Sequence, residues 1–349
     1  MIEPIRFGVI GSGFMGRTWA GVIARHVDEA DARLVAVGGG RAAADLAAGY
    51  GVPALEPSAL LARADVDAVV VATPVPSHRA LAVAAANAGK HVLVEKPMTS
   101  SVADAEAMVA VADSARVRLG VVSQHRFRAS PRAAKALIDD GRIGQVRMIR
   151  VTGPTTGWDV PTDSWQADRS QVSPYADWGA HACDLVRWLS GSSAARGYAA
   201  FASFTDGPPA DQSAMAQYEL ENGAIVQVWM TYELPPPGLG SAMQLLITGS
   251  DGIIELDSYG VVRLGTAEGG WQSVFEQSPF DPLNPDDPVR LGAYADQLRD
   301  VVAAIREERD PLVSGREGVR TQQMLEAAER SAASGAAVEI PFARSGVGA

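Results

Sequence analysis

The sequence lacks cysteine pairs, long apolar runs and targeting signals. Cys183 is the single cysteine in 349 residues, which excludes an internal disulfide framework and a cysteine-based zinc site. One thiol suits the reducing cytoplasm, where we expect this protein, and we expect Cys183 to be a small buried apolar residue. No apolar stretch could span a bilayer. The first residues, Met1-Ile2-Glu3-Pro4, lack the basic and apolar regions of a signal peptide, so we expect none.

Positive charge is also scarce. Lysine and arginine number 30 against 41 aspartates and glutamates, a formal net charge of −11, and no stretch gathers the basic residues into a cluster. Such a cluster is what binds a phosphate backbone or an anionic membrane surface. We therefore expect neither nucleic acid nor a membrane as a partner.

The composition is that of a globular protein with more than one domain. Apolar residues make up 47% of the chain and charged residues 20%, and 349 residues exceed one ordinary domain. In the first third, short β-rich runs such as Ile5–Ile10 alternate with Ala- and Leu-rich helical stretches. This alternation predicts βαβ units and a parallel sheet. We expect the first domain to cover residues 1–122.

The pattern changes past Ser123. Strand-like runs are now joined by the turn dipeptides Asn222-Gly223 and Asp251-Gly252, which favour tight hairpins. The second domain, residues 123–349, is therefore predicted to be an α+β domain with a mostly antiparallel sheet. The chain as a whole is predicted to be an α/β protein whose N-terminal domain is a doubly wound parallel sheet of the Rossmann type.

A G-x-G-x-x-G motif directly follows the first predicted strand and precedes the first helix. In this context the glycines allow a tight turn, close approach of a pyrophosphate and packing of helix on strand, while the helix N-terminus supplies N–H donors. The motif alone is weak, but its place between strand and helix indicates dinucleotide binding rather than a structural turn. The candidate residues are Gly11, Ser12, Gly13, Phe14, Met15 and Gly16.

The end of the second strand bears on the choice between NAD and NADP. An acid there binds the ribose hydroxyls of NAD, whereas a small residue with an arginine accommodates the 2′-phosphate of NADP. Here the strand ends Val37-Gly38-Gly39-Gly40-Arg41, with no carboxylate. Gly39 and Arg41 are therefore candidate cofactor residues that allow NAD or NADP and weakly favour NADP. A flexible loop with a solvated arginine is the alternative.

Glu95-Lys96-Pro97 follows a predicted parallel strand, at the edge where open α/β sheets bind ligands. A lysine at this edge can donate a hydrogen bond to a carbonyl or alkoxide oxygen. We take Lys96 as a candidate catalytic residue that also neighbours the cofactor, and Glu95 as a second cofactor neighbour. A solvated surface lysine is the alternative.

Asp177 and His181 are spaced by four residues in a strongly helical run, so they share one helical face. An imidazole one turn from a carboxylate is oriented by it, which suits a general base for an alcohol proton. An N-terminal Asp cap with a core histidine is the alternative. No other histidine is placed to complete a metal site, so we expect no metal.

Four motifs in order resemble the Gfo/Idh/MocA family of oxidoreductases, named after glucose-fructose oxidoreductase and inositol 2-dehydrogenase. They are the glycine motif at 11–16, Ala72-Thr73-Pro74 with His78, Glu95-Lys96-Pro97, and Asp177-x-x-x-His181. Each motif alone is weak, but four at the family's order and spacing are specific. The resemblance spans nearly the whole chain.

The resemblance implies a role for each motif. Lys96 would contact the reacting oxygen and the nicotinamide ribose, His181 would accept the proton, and Asp177 would orient that pair. The glycine loop would hold the pyrophosphate. The cofactor trough would be lined by Thr73, Pro74 and His78.

The resemblance also implies a function and an assembly. The expected activity is NAD(P)-dependent hydride transfer at a hydroxyl-bearing carbon of a sugar, cyclitol or related polyol. Two alternatives stay open, a nicotinamide-dependent redox-neutral glycoside-cleaving enzyme and a non-catalytic NAD(P)-binding regulatory protein. The second domain would carry a large open sheet that makes the interface of a homodimer or homotetramer.

Three further residues are candidates for the substrate pocket. Gln124 and Arg126 directly follow the last predicted strand of the first domain. Trp165 precedes the motif that contains Asp177 and His181 in sequence, and its ring could stack on the face of a sugar. Tryptophan is more often a core or interface residue, which is the alternative.

Overall fold

The computed structural model describes residues 3–26, 30–154, 168, 171–206, 211–281, 284 and 286–341. Its internal contacts divide the chain into two compact units. The first holds Met1–Ala129 and Ser278–Gln322, and the second holds Ser130–Gln277 and Gln323–Ala349. The segment Ser278–Gln322 thus returns to the first unit, which differs from the undivided second domain expected from the sequence.

The helices and strands are numbered in chain order. They are β1 (Ile5–Ile10), α1 (Phe14–Arg25), β2 (Ala32–Gly38), α2 (Ala43–Gly49), β3 (Ala54–Leu55), α3 (Pro57–Leu61), β4 (Ala68–Val71), α4 (His78–Asn87), β5 (His91–Val94), α5 (Val102–Ala115), β6 (Leu119–Val121), α6 (Ala129–Asp139), β7 (Val146–Thr152), α7 (Pro174–Ser190), β8 (Ala194–Ala202), β9 (Ser213–Leu220), β10 (Ile225–Thr231), β11 (Gln244–Gly249), β12 (Gly252–Asp257), β13 (Val261–Thr266), β14 (Gly270–Glu276), α8 (Pro288–Arg306), α9 (Gly315–Ser334) and β15 (Val338–Glu339).

The first unit is built on a parallel sheet, as the sequence predicts. Its described strands lie in the order β3-β2-β1-β4-β5-β6, and every neighbouring pair is parallel. All four residues of β4 are buried, as expected for a strand covered by helices on both faces. The order reverses between β1 and β4, and ligands of open α/β sheets bind beyond the carboxyl ends of the strands at such a point.

Helix α8 explains why the chain returns to the first unit. Its residues Leu291, Tyr294 and Leu298 lie on one face and join the buried cluster that contains Phe7 and Trp19. Their spacing of three and four residues forms an apolar stripe along the helix. The sequence shows this stripe but does not identify the surface that it covers, so α8 could not be assigned to the first unit in advance.

The second unit is built on a mixed, mostly antiparallel sheet, as predicted. Among the described residues the strand order is β14-β13-β12-β11-β7-β10-β9-β8-β15, and β7 pairs with β10 in parallel. The hairpins at Asn222-Gly223 and Asp251-Gly252 are present, since β9 pairs with β10 and β11 pairs with β12 in antiparallel register. Alternating burial along β9 indicates one packed face and one exposed face.

The exposed face of this sheet carries large apolar side chains. Five of them, between 41% and 53% exposed, are Met148, Tyr198, Met215, Ile225 and Leu246. Large apolar side chains exposed together on one sheet face are typical of a surface that is covered by another molecule. No helix within the described ranges is long and apolar enough to cross a membrane.

Candidate active site

The glycine-rich loop joins β1 to α1, and packing alone requires two of its glycines. Gly11 has a φ of +117°, and a Cβ there would lie 2.2 Å from the carbonyl oxygen of Ala72. A Cβ on Gly16 would lie 2.1 Å from the carbonyl oxygen of Gly11. Neither backbone carbonyl can move aside, so the fold itself fixes both residues as glycine.

Gly13 differs because no described part of the protein requires a glycine there. Its φ is −74°, and a Cβ would meet no described atom within 4 Å. Gly13 is the N-cap of α1, and this helix has neither a side-chain cap nor an acid in its first turn. Open space beside uncapped N–H groups is what a pyrophosphate needs at a helix N-terminus. The loop therefore fits a dinucleotide.

The loop after β2 is held against the glycine-rich loop by Ser12. Ser12 Oγ accepts a hydrogen bond from the backbone N–H of Ala42 at 3.2 Å. Gly39 and Gly40 have φ values of +70° and +86°, and a Cβ on Gly40 would lie 2.3 Å from Ser12 Oγ. Arg41 is exposed beside them. The tip of β2 thus presents a cation and no carboxylate.

His78 connects the loop after β4 to the loop after β5. Its ring is 1% exposed, with Nε2 2.7 Å from the carbonyl oxygen of Thr73 and Nδ1 3.1 Å from that of Pro97. Burial lowers the pKa of His78. Thr73 is partly buried, Pro74 is exposed, and Ser77 Oγ lies 2.7 Å from Thr73 Oγ1. His78 is therefore buried between two loops and connects them, so its ring is not exposed to solvent.

Glu95 and Lys96 directly follow β5 and have different surroundings. Glu95 is buried, and its Oε1 accepts a hydrogen bond from Trp19 Nε1 at 2.8 Å. Its Oε2 accepts one from the backbone N–H of Lys96 at 3.1 Å. Burial raises the pKa of Glu95, while the Trp19 hydrogen bond opposes the rise. Lys96 is only partly buried. Glu95 thus holds the backbone of Lys96 and leaves the lysine as the more accessible group.

The segment after β6 buries a run of polar residues at the same edge of the sheet. Arg126 is buried and donates to Glu317 Oε2 at 2.8 Å. His125 is also buried, and desolvation together with the charges of Arg128 and Lys96 holds the pKa of His125 well below its ordinary value. Sequence reasoning missed His125, although polar residues after a buried strand at this edge were a usable signal.

Gln124 is the candidate pocket residue in this segment whose amide oxygen is buried and unpaired among the described residues. It is 7% exposed, and its Oε1 has no hydrogen-bond partner among the described residues. Buried amide oxygens are nearly always paired in proteins, so this unpaired oxygen is an exception within the segment. Arg126 is instead engaged by Glu317.

In the second unit, Asp177 and His181 occupy adjacent turns of α7. From Pro174 to Arg187, all of which the structure describes, these two residues alone are partly exposed while every other residue is buried. The shared face predicted from their spacing is therefore accessible. Asp184, the next residue on that face by spacing, is 4% exposed and belongs to the interior.

Tyr232 lies close enough to Asp177 to respond to its charge. Burial and then the Asp177 carboxylate raise the pKa of Tyr232 well above its ordinary value, which keeps the phenol protonated. Tyr232 directly follows β10, far from α7 in sequence. Sequence reasoning missed it because only the tertiary fold places it beside Asp177.

Helix α7 is anchored by a buried cluster of three side chains. The hydroxyls of Tyr175 and Tyr218 lie 2.7 Å apart, and Cys183 Sγ lies 3.8 Å from each. Tyr218 also donates to the carbonyl oxygen of Met324 at 3.0 Å. Burial raises the pKa of the Cys183 thiol to about 12, so it stays protonated. Cys183 is the buried residue that was expected, and its cluster fixes the helix that carries Asp177 and His181.

Two groups of candidate residues are thus assembled, one in each unit. The carboxyl ends of β1, β4, β5 and β6 gather those of the first unit at one sheet edge. Asp177 and His181 form the second group with Tyr232. Trp165 lies outside the described residues. Within the described part of the chain, no three His, Cys, Asp or Glu side chains converge as metal ligands.

Both units match models of one protein family. Residues 5–123 match a model described as "Oxidoreductase family, NAD-binding Rossmann fold". Residues 132–255 match one described as "GFO/IDH/MocA C-terminal domain".

Individual relatives cover nearly the whole chain. An inositol 2-dehydrogenase of Rhizobium meliloti is 28% identical over 340 residues, which cover 94% of this chain and 97% of the relative. A 1,5-anhydro-D-fructose reductase of Ensifer adhaerens is 28% identical over 347 residues, covering 96% and 98%. The crystal structure of an oxidoreductase domain protein from Kribbella flavida superimposes with a TM-score of 0.84 at 26% identity, covering 98% of this chain and 100% of that one.

Proposed function

Because the chain belongs to the Gfo/Idh/MocA family of oxidoreductases, we propose that it transfers a hydride between a nicotinamide dinucleotide and a hydroxyl-bearing carbon of a sugar, cyclitol or related polyol. The observation that carries this proposal is the accessible pair Asp177 and His181 on an otherwise buried stretch of α7. The names of the relatives, an inositol dehydrogenase and an anhydrofructose reductase, support the substrate class.

The residues that would hold the dinucleotide lie at one edge of the first sheet. The backbone at 11–16, with Gly13 open to solvent, suits the pyrophosphate. Lys96 and the loop that contains Thr73 and Pro74 lie at the same edge. When bound, the nicotinamide supplies the hydride chemistry, while the protein supplies orientation and charge.

Each candidate catalytic residue has a distinct part in this proposal. His181 accepts the proton of the reacting hydroxyl, and Asp177 orients His181 from the adjacent turn. Lys96 donates a hydrogen bond to the reacting oxygen, with its backbone fixed by Glu95. Tyr232 stays protonated close to Asp177, so it adds no second negative charge there.

The cofactor is proposed to be NAD or NADP, with a weak preference for NADP. The support is the exposed Arg41 after a strand that ends in glycines and no carboxylate. Replacing Arg41 by alanine should raise the KM for NADP⁺ and leave that for NAD⁺ nearly unchanged. Equal changes for both cofactors would contradict the preference.

We also propose that the second unit makes a homodimer or homotetramer through its exposed sheet face. The exposed apolar side chains of Met148, Met215 and Ile225 support this, because large apolar side chains on an open sheet face are normally covered. Light scattering at micromolar concentration should show more than one chain per particle, and a monomer would refute the assembly.

The single buried thiol, Cys183, suits a cytoplasmic location.

The decisive assay offers NAD⁺ and NADP⁺ separately with a panel of inositols, hexoses, pentoses and glycosides. Absorbance of the reduced nicotinamide should rise with at least one polyol, and Lys96→Met should abolish the rise while cofactor binding is retained. An active Lys96→Met variant would remove Lys96 from the mechanism. Release of a sugar without net cofactor reduction would indicate redox-neutral glycoside cleavage, and cofactor binding without any turnover would indicate a regulatory protein.

A further inference from the structure

Arg290 is a buried cation in the first turn of α8, within the segment that returns to the first unit. It is 2% exposed. The carboxylate of Asp287 caps the helix by accepting from the backbone N–H groups of Val289 at 2.9 Å and Arg290 at 3.1 Å. Burying a guanidinium is costly unless it is well contacted, so its contacts indicate its role.

Two of its contacts lead to the glycine-rich loop. Arg290 Nη2 donates to Thr18 Oγ1 at 3.0 Å, and Thr18 Oγ1 donates to the carbonyl oxygen of Phe14 at 3.1 Å. The hydroxyl has one proton, which goes to Phe14, so its lone pair is free to accept from the arginine. The two bonds form a directed chain from Arg290 to the backbone of Phe14.

Arg290 also contacts the ring of the same phenylalanine. Its guanidinium carbon lies 4.8 Å from the centre of the Phe14 ring and 5.1 Å from that of Tyr294. Phe14 is 49% exposed, so without this contact its side chain would be largely solvated. A cation–π pair of this kind is an attractive contact that a neutral side chain would not reproduce.

A chain of contacts also connects Arg290 to Glu95, the residue that follows β5. The Tyr294 ring packs edge-on against Trp19, with ring centres 5.3 Å apart, and Trp19 donates to Glu95. Burial raises the pKa of Glu95, and the charge of Arg290 is the weakest of the contributions that oppose the rise. Arg290 is therefore connected to Glu95, the residue before Lys96, through the rings of Tyr294 and Trp19.

We propose that Arg290 is a positioning residue for the nucleotide pyrophosphate. It contacts the Phe14 ring directly and the Phe14 carbonyl through Thr18, and these two contacts fix the first turn of α1, whose N–H groups would meet the pyrophosphate. This inference rests on the proposed binding of a nicotinamide dinucleotide. It concerns affinity for the diphosphate rather than the hydride step.

Calorimetric titration of the full-length protein with NAD⁺ and with ADP-ribose tests this role. ADP-ribose keeps the pyrophosphate and lacks the nicotinamide, so both ligands should bind about tenfold more weakly to Arg290→Met. Turnover at saturating cofactor should change less than twofold. Arg290→Lys, which keeps the charge but lacks the planar stack, should bind both ligands with intermediate affinity. Arg299→Met, on the more exposed part of α8, is the matched control and should bind like the wild type.

A second variant keeps the test decisive if Arg290→Met folds poorly. Phe14→Leu removes the ring contact at a half-exposed position and should weaken both ligands several-fold. In the double variant Phe14→Leu/Arg290→Lys, the fold loss of ligand affinity should be smaller than the product of the two single losses, because the two residues act together. Unchanged affinity in Arg290→Lys and Phe14→Leu, with wild-type binding intact, would overturn the role of Arg290. Failure of the wild type to bind NAD⁺ or NADP⁺ would overturn the proposed function instead.

Discussion

The indole nitrogen of Trp19 lies 2.8 Å from Oε1 of Glu95, in the interior of the first unit. Trp19 belongs to the helix that begins in the glycine-rich loop, and Glu95 directly precedes Lys96. The other carboxylate oxygen of Glu95 accepts from the backbone of Lys96. One buried carboxylate thus connects the cofactor-binding end of the sheet with its proposed catalytic lysine.

Trp19→Phe should destabilise the protein by about 2 to 4 kcal/mol. The substitution leaves Glu95 Oε1 buried without its donor and opens space beside the ring. Urea denaturation measures the loss. Trp271→Phe, at a position 45% exposed on β14, removes a similar ring at the surface and should cost less than about 1 kcal/mol. Similar losses in the two variants would show that the Trp19–Glu95 bond contributes little.

Gly13→Ala should mainly weaken cofactor binding, whereas Gly16→Ala should mainly lower the stability of the protein. A methyl group on Gly13 meets no described atom, so stability should fall by only about 0.5 to 1 kcal/mol while affinity for the dinucleotide falls at least about tenfold. On Gly16 it collides with the Gly11 carbonyl, so stability should fall by about 3 kcal/mol or more. Thermal unfolding and cofactor titration separate the two outcomes. Normal affinity for the dinucleotide in a folded Gly13→Ala protein would show that this loop does not bind the pyrophosphate.

Asp177→Asn should lower kcat/KM by about a hundredfold with little effect on stability. Asp177 is partly exposed, so the fold does not depend on its burial, whereas the proposed orientation of His181 does depend on its charge. Steady-state kinetics and thermal unfolding measure the two effects. Asp184→Asn, at a buried position of the same helix, should instead lower stability. Wild-type kinetics in Asp177→Asn would exclude it from the reaction.

The stability of the protein should decrease as the pH falls below about 6.5. Burial, with the charges of Arg128 and Lys96, holds the pKa of His125 well below the ordinary value of a histidine. Below this pH the unfolded chain therefore takes up a proton that the folded protein does not. Above it, His125 is neutral in both states and costs no free energy of unfolding. Below it, this group alone removes about 1.4 kcal/mol per pH unit until the lowered folded pKa is reached.

Urea denaturation of the wild type and of His125→Asn at about pH 7.5 and about pH 5.5 checks this prediction. The variant lacks the titrating group, so it should lose less stability between the two pH values. An equal loss in both proteins would mean that His125 titrates normally in the folded state.

Much of the architecture followed from local pattern. The alternation of strands and helices predicted the parallel sheet, and Asn222-Gly223 and Asp251-Gly252 predicted two hairpins, all of which are confirmed. The family expected from four ordered motifs is confirmed by models that match both units. The roles of Lys96, Asp177 and His181, and the choice between NAD and NADP, stay predictions.

Long-range contacts were beyond sequence reasoning. Arg290 lies far along the chain from Phe14, and neither residue suggests the other. The charge of Asp177 acts on Tyr232 only because the fold brings the end of β10 near α7. In each case the sequence shows an ordinary arginine or tyrosine, because side-chain type does not encode which distant partner it will contact.

The sequence by itself determined the periodicities, turns and motif order, since strand alternation, hairpin dipeptides and the glycine loop are set by local backbone preferences. Only the tertiary structure decided that α8 covers the first sheet, that Glu95 is interior while Lys96 is accessible, and that Asp177 and His181 are open on a buried helix. Burial and electrostatic partners depend on how distant segments pack, and no single segment carries that information.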